Sequence, residues 1–365
     1  MLLAALLLTI DVFVVHPAPI VTRRAFVTSI SATSLAAEAP PVTTQCAFAH
    51  STTTVDVDGC SIPVAMWKPP PFGAAAPPPY PYCINIGKIA AKLRVGWLAW
   101  LPSQNFPLVG GGDTGMTPTG FASAPPNSYV LFAHGFLGSV YDLAHVAEAL
   151  ASDGFTVVAP ELPESLTAGF MPPEGLGREE IIAATRQLVD PAGKGRWGIF
   201  GHSAGAGSAL LQRGDYVLGR ACLAAGFRGY NGRDPVFLCA SDGDGCNAFM
   251  GGSLRTSIAA DGRFVSFDSL NEAYATPKDP PALASFIFAE DNSPAPLPCH
   301  ISFLWGQVDE AMAQVLSPFL PLAKALGLFL LDFDVYLETR DADTTAAKVV
   351  PAMRRFFLAN AASRS

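Results

Sequence analysis

The fold of this chain is restricted most strongly by the glycines that flank Ser203. Residues 201–205 read Gly-His-Ser-Ala-Gly, after the apolar run 197–200 and before the small-residue stretch 206–211. This order predicts a strand, a sharp turn at Ser203 and then a helix, because a side chain at either glycine would collide with the turn. In a chain with 33 glycines the pattern alone is weak. Its interpretation as a nucleophile elbow therefore depends on the sequence around it.

A second motif lies upstream, where the apolar run 129–133 ends in His134 and Gly135. Apolar residues with helical spacing follow over 143–150, and 155–160 then has the composition of another buried strand. The predicted order is strand, His-Gly loop, helix, strand, loop, strand, elbow, helix. Such alternation predicts an α/β fold with a mostly parallel central sheet and helices on both faces.

In these motifs the chain resembles the α/β-hydrolase superfamily of serine hydrolases, over the region from Thr52 to the C-terminus. The resemblance implies an enzyme that needs no cofactor or metal and uses water as its second substrate. It also implies a catalytic serine, acid and histidine in that chain order. The oxyanion donors would be two backbone amides, that of Ala204 after the serine and that of Phe136 in the His-Gly loop.

The general base for Ser203 must be one of six histidines. Five of them have other predicted places: His16 lies in the presequence, His50 precedes the first strand, His134 and His202 brace the His-Gly loop and the elbow, and His145 is on the polar side of its helix. The sixth, His300, follows the strand-like run 284–289 and a proline-rich loop. This position suits the mobile loop that carries the base in the family, and the alternative is an ordinary residue at the edge of a strand.

The acid is predicted after the buried strand 235–240, in a turn that contains Asp242, Gly243 and Asp244. Related enzymes carry the acid in a turn of this kind. The usual spacing after the strand favours Asp244, with Asp242 as the alternative. Ser203, Asp244 and His300 then have the chain order of the family.

A second register, that is, another assignment of the last strands to the sequence, stays open. Residues 301–306, followed by Asp309, also have the composition of the strand that delivers the acid, and residues 333–338 that of the last strand. The base would then fall near residues 341–344, where the sequence has no histidine. In this register the protein lacks a general base and is a catalytically inactive relative that acts as a ligand-binding or scaffold protein.

The stretch from His134 to Leu162 is similar to chlorophyllases, platelet-activating-factor acetylhydrolases and polyester hydrolases. This resemblance implies a serine esterase or lipase that acts on an apolar ester of a lipid or chlorophyll type. The elbow departs from the plant chlorophyllase pattern, which has arginine in place of Ala204 and glycine in place of Ala206. Plant chlorophyllases also place the acid after the preceding strand, where this chain has Ala-Ala-Gly at 224–226.

Composition restricts the partners and the domain organisation. With 50% hydrophobic and 15% charged residues the chain can bury a large core, and one catalytic domain is predicted over 40–365. A net charge of −8 without a lysine or arginine cluster argues against nucleic acid. The seven cysteines form no C-x-x-C pair, which argues against zinc. Cys246 and Cys299 lie near the predicted acid and base, where a disulfide could join them.

Residues 1–39 are interpreted as a targeting presequence. The apolar run 2–8 resembles a signal-peptide core and is too short to span a bilayer, and 22–39 resembles a twin-arginine signal with an A-x-A cleavage site. Two signals in series resemble the presequences of plastid proteins in algae with complex plastids, and they predict a plastid location, in the thylakoid lumen. The alternative is one secretory signal, a Ser/Ala-rich linker and a secreted protein. Either way the mature protein would have no membrane span, and peripheral contact with lipid stays compatible with it.

Overall fold

The strands follow one another along the chain largely as the sequence predicts. The computed structural model describes residues 48–70, 77–92, 100–111, 123–166, 175–224, 234–246, 283–319, 321, 325 and 340–363, all within the compact unit Gln45–Ser365. These residues form the strands β1 (Ala49–Val57), β2 (Cys60–Lys68), β3 (Tyr80–Ile84), β4 (Gln104–Leu108), β5 (Ser128–Ala133), β6 (Thr156–Pro160), β7 (Arg196–His202), β8 (Gly219–Leu223), β9 (Val236–Ser241) and β10 (Leu283–Phe288). They also form the α-helices α1 (Ile86–Lys92), α2 (Ala144–Ser152), α3 (Arg178–Val189), α4 (Ala204–Leu211), α5 (Gly306–Leu316) and α6 (Ala342–Ala362).

Eight strands form one sheet in the order β1-β2-β6-β5-β7-β8-β9-β10. β2 is antiparallel to β1 and to β6, whereas the neighbours from β6 to β10 are parallel. β3 and β4 make a separate antiparallel pair. The prediction of a mostly parallel central sheet is confirmed. The carboxyl ends of β7, β9 and β10 consequently lie at the same edge, where α/β proteins place their sites.

The side chains of β5 show that helices cover both faces of the sheet. Val130 and Phe132 pack in a core cluster with α2, α5 and α6, whereas Leu131 and Ala133 pack in a second cluster with α3 and α4. All four side chains are fully buried. This arrangement explains why the strand is continuously apolar rather than alternating, and it confirms the prediction made from that pattern.

Residues 52–67 alternate apolar and polar side chains around Asp58 and Gly59, which predicts a hairpin, and the first two strands form it. Val57 pairs with Cys60, so the turn has only those two residues between the strands. Asp58 has φ 52° and Gly59 has φ 78°, the left-handed conformations of a type I′ turn. An Asp-Gly pair adopts them at little cost, and the local sequence alone was sufficient to place the turn.

Two helices replace structures that the sequence had suggested. The sequence over 85–100 predicts another strand or two, but residues 86–92 form α1 instead. Asn85 accepts a hydrogen bond from the Lys88 N–H at 2.9 Å and caps this helix, whose Ile86, Ile89 and Ala90 are buried at helical spacing. The loop expected before β7 contains α3, which buries Ile181 and Ile182 against the second core cluster. In both places the apolar spacing has the period of a helix.

The alternative register is wrong where the structure describes it. Residues expected to form its acid-bearing strand are instead a 3₁₀-helix, Ile301–Phe303, followed by α5, whose first turn contains Asp309. Residues 341–344 begin α6, with Asp341 as its N-cap. Residues 333–338 lie outside the described residues, as does the presequence 1–39. Residues 316–331 are strongly apolar, which predicts a helix or two that form a cap or pack on the sheet, and most of them also lie outside the described residues.

Two histidines also differ from expectation. His50 lies within β1 rather than before it. His145 is buried instead of solvated, because the indole of Trp305 stacks on its ring with centroids 6.3 Å apart. Burial lowers the pKa of His145 to about 3, so the ring is neutral. No helix among the described residues is both long and apolar enough to cross a bilayer.

A buried carboxyl group on α2 is expected to make stability depend on pH. Glu148 accepts hydrogen bonds from the Tyr80 hydroxyl at 2.7 Å and the Gly111 N–H at 3.1 Å. Burial nevertheless raises its pKa from 4.5 to about 7. The folded protein therefore holds a proton that the unfolded chain releases, and stability falls as the pH rises from about 4.5 to about 7.

We expect Glu148→Gln to remove this fall, since glutamine does not titrate. The free energy of unfolding of the wild type should decrease, relative to that of Glu148→Gln, by on the order of 3 kcal/mol across this window. Urea unfolding of both proteins at pH values below and above the window measures the difference. Equal pH dependence in the two proteins would show that the Glu148 carboxyl titrates normally.

Candidate active site

The turn at Ser203 has the strained geometry that its glycines predicted. β7 ends at His202, Ser203 has φ 55° and ψ −122°, and α4 begins at the next residue. A non-glycine residue with positive φ persists only where its surroundings hold it. Here the Ser203 N–H donates to the Leu223 carbonyl at 2.9 Å. A Cβ on Gly205 would collide with the Ala133 carbonyl, and a Cβ on Gly201 would collide with the backbone of Gly205.

The structure brings His300 and Asp244 together, although they are 56 residues apart. The His300 Nδ1–H donates to Asp244 Oδ2 at 2.9 Å. Asp244 follows β9 and is 1% exposed, whereas Asp242 is exposed and does not make this bond. A Cβ on Gly243 would lie 2.8 Å from the Leu297 Cβ, so the turn that bears Asp244 packs closely against the loop that leads to His300.

His202 links the elbow to the loop that carries His300. Its Nε2–H donates to the His300 main-chain carbonyl at 2.9 Å, and the two imidazole rings lie with centroids 4.6 Å apart. Burial, with a smaller contribution from the neighbouring His300, lowers the pKa of His202 to about 3. His202 is therefore neutral, with its proton on Nε2. Because His202 directly precedes Ser203, its bond holds the main chain of His300 next to the serine turn.

The His-Gly loop lies against the same turn. A methyl group built on Gly135 would lie 3.3 Å from His202 Nδ1 and 3.4 Å from the Ser203 Cβ. Phe136 comes next, with 43% of its surface exposed. Ala204 occupies the first position of α4, where the amide has no partner within the helix. The amides predicted to hold an oxyanion therefore belong to two segments that meet at Ser203.

His134 fixes the His-Gly loop from within. Its Nδ1–H donates to the Gly135 carbonyl at 2.8 Å, and its Nε2 accepts from the Leu162 N–H at 2.8 Å. Burial, with a smaller contribution from Arg178, lowers its pKa to about 3, so it is neutral and both ring nitrogens are used. Arg178 donates to the His134 carbonyl at 2.8 Å. His134 thus has the bracing position that the sequence suggested.

Some predicted contacts are absent from this site. Asp309 lies in the first turn of α5 rather than after a strand, because residues 301–303 form a 3₁₀-helix. The disulfide suggested between Cys246 and Cys299 is not formed. The Cys299 sulfur instead lies 3.2 Å from the Ser302 hydroxyl. The spacing of two cysteines near paired loops was insufficient to predict a bond.

Asp142 contributes to the site and was missed by sequence reasoning. Its carboxyl accepts from the Ser139 N–H at 3.0 Å, within the turn that follows Phe136, and its main-chain carbonyl accepts from the Trp305 N–H at 2.9 Å. Through these two hydrogen bonds Asp142 ties the His-Gly loop to the segment that follows His300. Burial raises the pKa of its carboxyl group to about 8. No local pattern separates it from a solvated acid.

The comparisons with known proteins identify the family. Residues 130–362 match the profile of the Alpha/beta hydrolase family. Similar solved structures include a ferulic acid esterase from Streptomyces cinnamoneus, 21% identical over 56% of this chain and 68% of that chain with a TM-score of 0.35. An α/β serine hydrolase without a lid from Xanthomonas campestris is 13% identical over 69% and 86% of the two chains, with a TM-score of 0.38. A cold-adapted esterase from an Arctic intertidal metagenomic library is 15% identical over 68% and 87%, with a TM-score of 0.34. No curated protein matches the sequence. Because the family match covers more than half of the chain, the protein belongs to the alpha/beta hydrolase family and has the fold of that family.

Proposed function

We propose that this protein is a serine carboxylic-ester hydrolase in which Ser203 is the nucleophile, His300 the general base and Asp244 the residue that orients His300. The observation that carries the proposal is the 2.9 Å hydrogen bond from His300 Nδ1 to Asp244 Oδ2. This bond forms between the segments that follow two adjacent parallel strands, and His202 ties one of them to the strained serine turn. Membership of the alpha/beta hydrolase family supports the same reading.

The contacts of His300 determine what it can do with a proton. Because Nδ1–H donates to Asp244, the lone pair is on Nε2 and can accept the Ser203 proton as the oxygen attacks the ester carbonyl. The imidazolium that forms is stabilised by Asp244 and then returns the proton to the departing alcohol. Water repeats the sequence on the acyl-enzyme, with His300 again as the base, and releases the acid and Ser203.

The negative charge on the carbonyl oxygen needs donors that are already in place. The main-chain amides of Ala204 and Phe136 are proposed for this role, since they belong to the segments that meet at Ser203. Removal of one such donor in comparable enzymes costs about 3 to 4 kcal/mol of transition-state stabilisation. Because both donors are main-chain groups, substitution of side chains does not delete them.

The proposed substrate is an apolar ester, of a lipid or chlorophyll type. The aromatic ring of Phe136 supports this class, because it is 43% exposed in the loop beside Ser203 and offers apolar surface to an acyl or alcohol group. The resemblance to chlorophyllases and platelet-activating-factor acetylhydrolases points in the same direction. Hydrolysis of p-nitrophenyl esters of increasing chain length and of chlorophyll separates a lipid-type substrate from a pigment ester.

A fluorophosphonate probe tests the mechanism without knowledge of the natural ester. We expect the wild type to be labelled and both Ser203→Ala and His300→Ala to lose the label, because the phosphonate reacts only with a serine that a base activates. Gel fluorescence after fixed times measures the reaction, and circular dichroism checks that both variants are folded.

The outcomes separate the proposal from an inactive relative. A folded wild type that resists the probe and hydrolyses none of the esters would contradict the enzymatic function. Strong labelling of His300→Ala would remove His300 from the role of base while leaving Ser203 as a reactive serine. Labelling at a residue other than Ser203, located by mass spectrometry, would overturn the nucleophile.

A further inference from the structure

The loop that carries His300 cannot support itself with regular main-chain hydrogen bonds. It follows β10, and residues 293–298 read Ser-Pro-Ala-Pro-Leu-Pro. The three prolines have no N–H and cannot take part in a strand ladder or a helical turn as donors. Residues 294–296 are exposed, so water can satisfy their carbonyls, but water does not fix a conformation. Donors that hold the loop in place therefore have to come from another part of the chain.

Arg340, the residue before the N-cap of α6, supplies them. Its Nη2 donates to the Pro294 carbonyl at 2.6 Å and to the Ser293 hydroxyl at 2.8 Å, and its Nε donates to the Pro296 carbonyl at 3.2 Å. Its own main-chain N–H donates to the Leu297 carbonyl at 3.2 Å. One residue therefore contacts four of the five positions from 293 to 297.

The burial of the Arg340 guanidinium group has a free-energy cost. Arg340 is only 6% exposed, and its guanidinium carbon lies 5.3 Å from the centroid of the Phe288 ring. Within the described residues its hydrogen-bond partners are all neutral oxygens, so no carboxylate there offsets the loss of hydration. Among the described residues Arg340 is thus a buried cation that only neutral acceptors contact, and such an arrangement is unfavourable as a general device for stability. The planar fork of donors is what the loop uses.

We propose that Arg340 is a positioning residue for the general base. It fixes residues 293–297, and the two residues that follow, Pro298 and Cys299, carry that constraint to His300, which stays within hydrogen-bond distance of Asp244. His202 holds the His300 carbonyl from the opposite side, so the loop is held at both of its ends. The inference rests on the proposed function of His300 as the base.

The test compares Arg340→Met with Arg354→Met. Methionine keeps an unbranched side chain out to the ε position and removes every side-chain donor. Arg354 is a matched control, because it is also buried, lies in α6, which begins two residues after Arg340, and makes a two-bond ion pair with Asp153 at 2.7 and 2.8 Å, away from the loop. Both substitutions should lower stability. Only the substitution at Arg340 should change the behaviour of His300.

We expect Arg340→Met to slow labelling of Ser203 by a fluorophosphonate about 10- to 100-fold, as small misplacements of a catalytic group do. The apparent pKa in the pH profile of that rate should fall, because a looser contact with Asp244 stabilises the imidazolium less. Amide hydrogen exchange in the peptide covering 293–300 should become faster. Arg354→Met should match the wild type within about twofold in rate and in loop exchange.

Three results would overturn the proposal: equal labelling rates in the two variants, an unchanged pH profile, or unchanged exchange in the loop. If Arg340→Met does not fold, Arg340→Lys replaces it in the test, because lysine keeps the charge but cannot donate as a fork. Arg340→Lys should slow labelling by less than the 10- to 100-fold expected for Arg340→Met, and it should still lower the apparent pKa in the pH profile of the labelling rate. A wild type that is never labelled would contradict the proposed function instead. The exchange measurement would then still decide whether Arg340 holds the loop.

Discussion

Asp244→Asn is expected to lower kcat for ester hydrolysis about ten-thousand-fold. An asparagine at this place can turn its NH₂ group toward His300 Nδ1, which then becomes an acceptor. The proton of the imidazole moves to Nε2 and prevents that atom from taking the Ser203 proton. Asp244 is 1% exposed, so water cannot easily take the place of the carboxylate. KM should change little, because the acid does not contact the substrate.

Asp242→Asn is the matched control, since it makes the same chemical change two residues away in the same turn. Its carboxyl is exposed, and its main-chain N–H, which the substitution leaves in place, donates to the Phe288 carbonyl at 2.9 Å. Its kcat should stay within about twofold of the wild type, because Asp242 does not make the bond to His300 that Asp244 makes. Steady-state hydrolysis of one p-nitrophenyl ester measures both. Equal losses in the two variants, or a kcat for Asp244→Asn above about one tenth of the wild type, would remove Asp244 from the site.

The parts of the fold that the sequence could predict are those determined by neighbouring residues. The turn at Ser203 follows from steric exclusion at Gly201 and Gly205, and the hairpin follows from the left-handed conformations that Asp58 and Gly59 tolerate. Buried strands were recognisable from continuous apolar runs such as β5. In each case the information lies within about ten residues of the element, which is why pattern and composition were sufficient.

The remaining features depend on residues that are distant in sequence. Which of Asp242 and Asp244 bonds with His300 depends on the position of His300, which no spacing in the sequence supplies. His145 was expected in water because the polar side of its helix could be identified, but the Trp305 that covers it comes from another part of the chain. Arg340 had no recognisable motif. The prolines of 293–298 did signal a missing set of donors, without indicating where the donors would come from.

Gly205→Ala is expected to destabilise the protein by on the order of 3 kcal/mol and to abolish ester hydrolysis in whatever fraction stays folded. The added methyl group would collide with the main-chain carbonyl of Ala133 and contact that of His134, and a main chain cannot change rotamer to make room. Relief requires α4 to move away from the His-Gly loop. That movement separates the Ala204 amide from the Phe136 amide, so stability and catalysis should be lost together. Urea unfolding and p-nitrophenyl ester hydrolysis measure the two effects.

Gly207→Ala, in the same helix, is the control, and we expect the opposite effect. A Cβ at Gly207 would have no heavy atom within 4 Å, and its backbone is already helical. Alanine is favoured over glycine in a helix by about 0.5 to 1 kcal/mol, so this variant should be slightly more stable than the wild type and fully active. If both alanine variants behaved alike, the contact of Gly205 with the His-Gly loop would not be what determines the geometry of the elbow. The contrast therefore isolates one close approach between main chains, the one that brings the proposed nucleophile and its oxyanion donors to the same point.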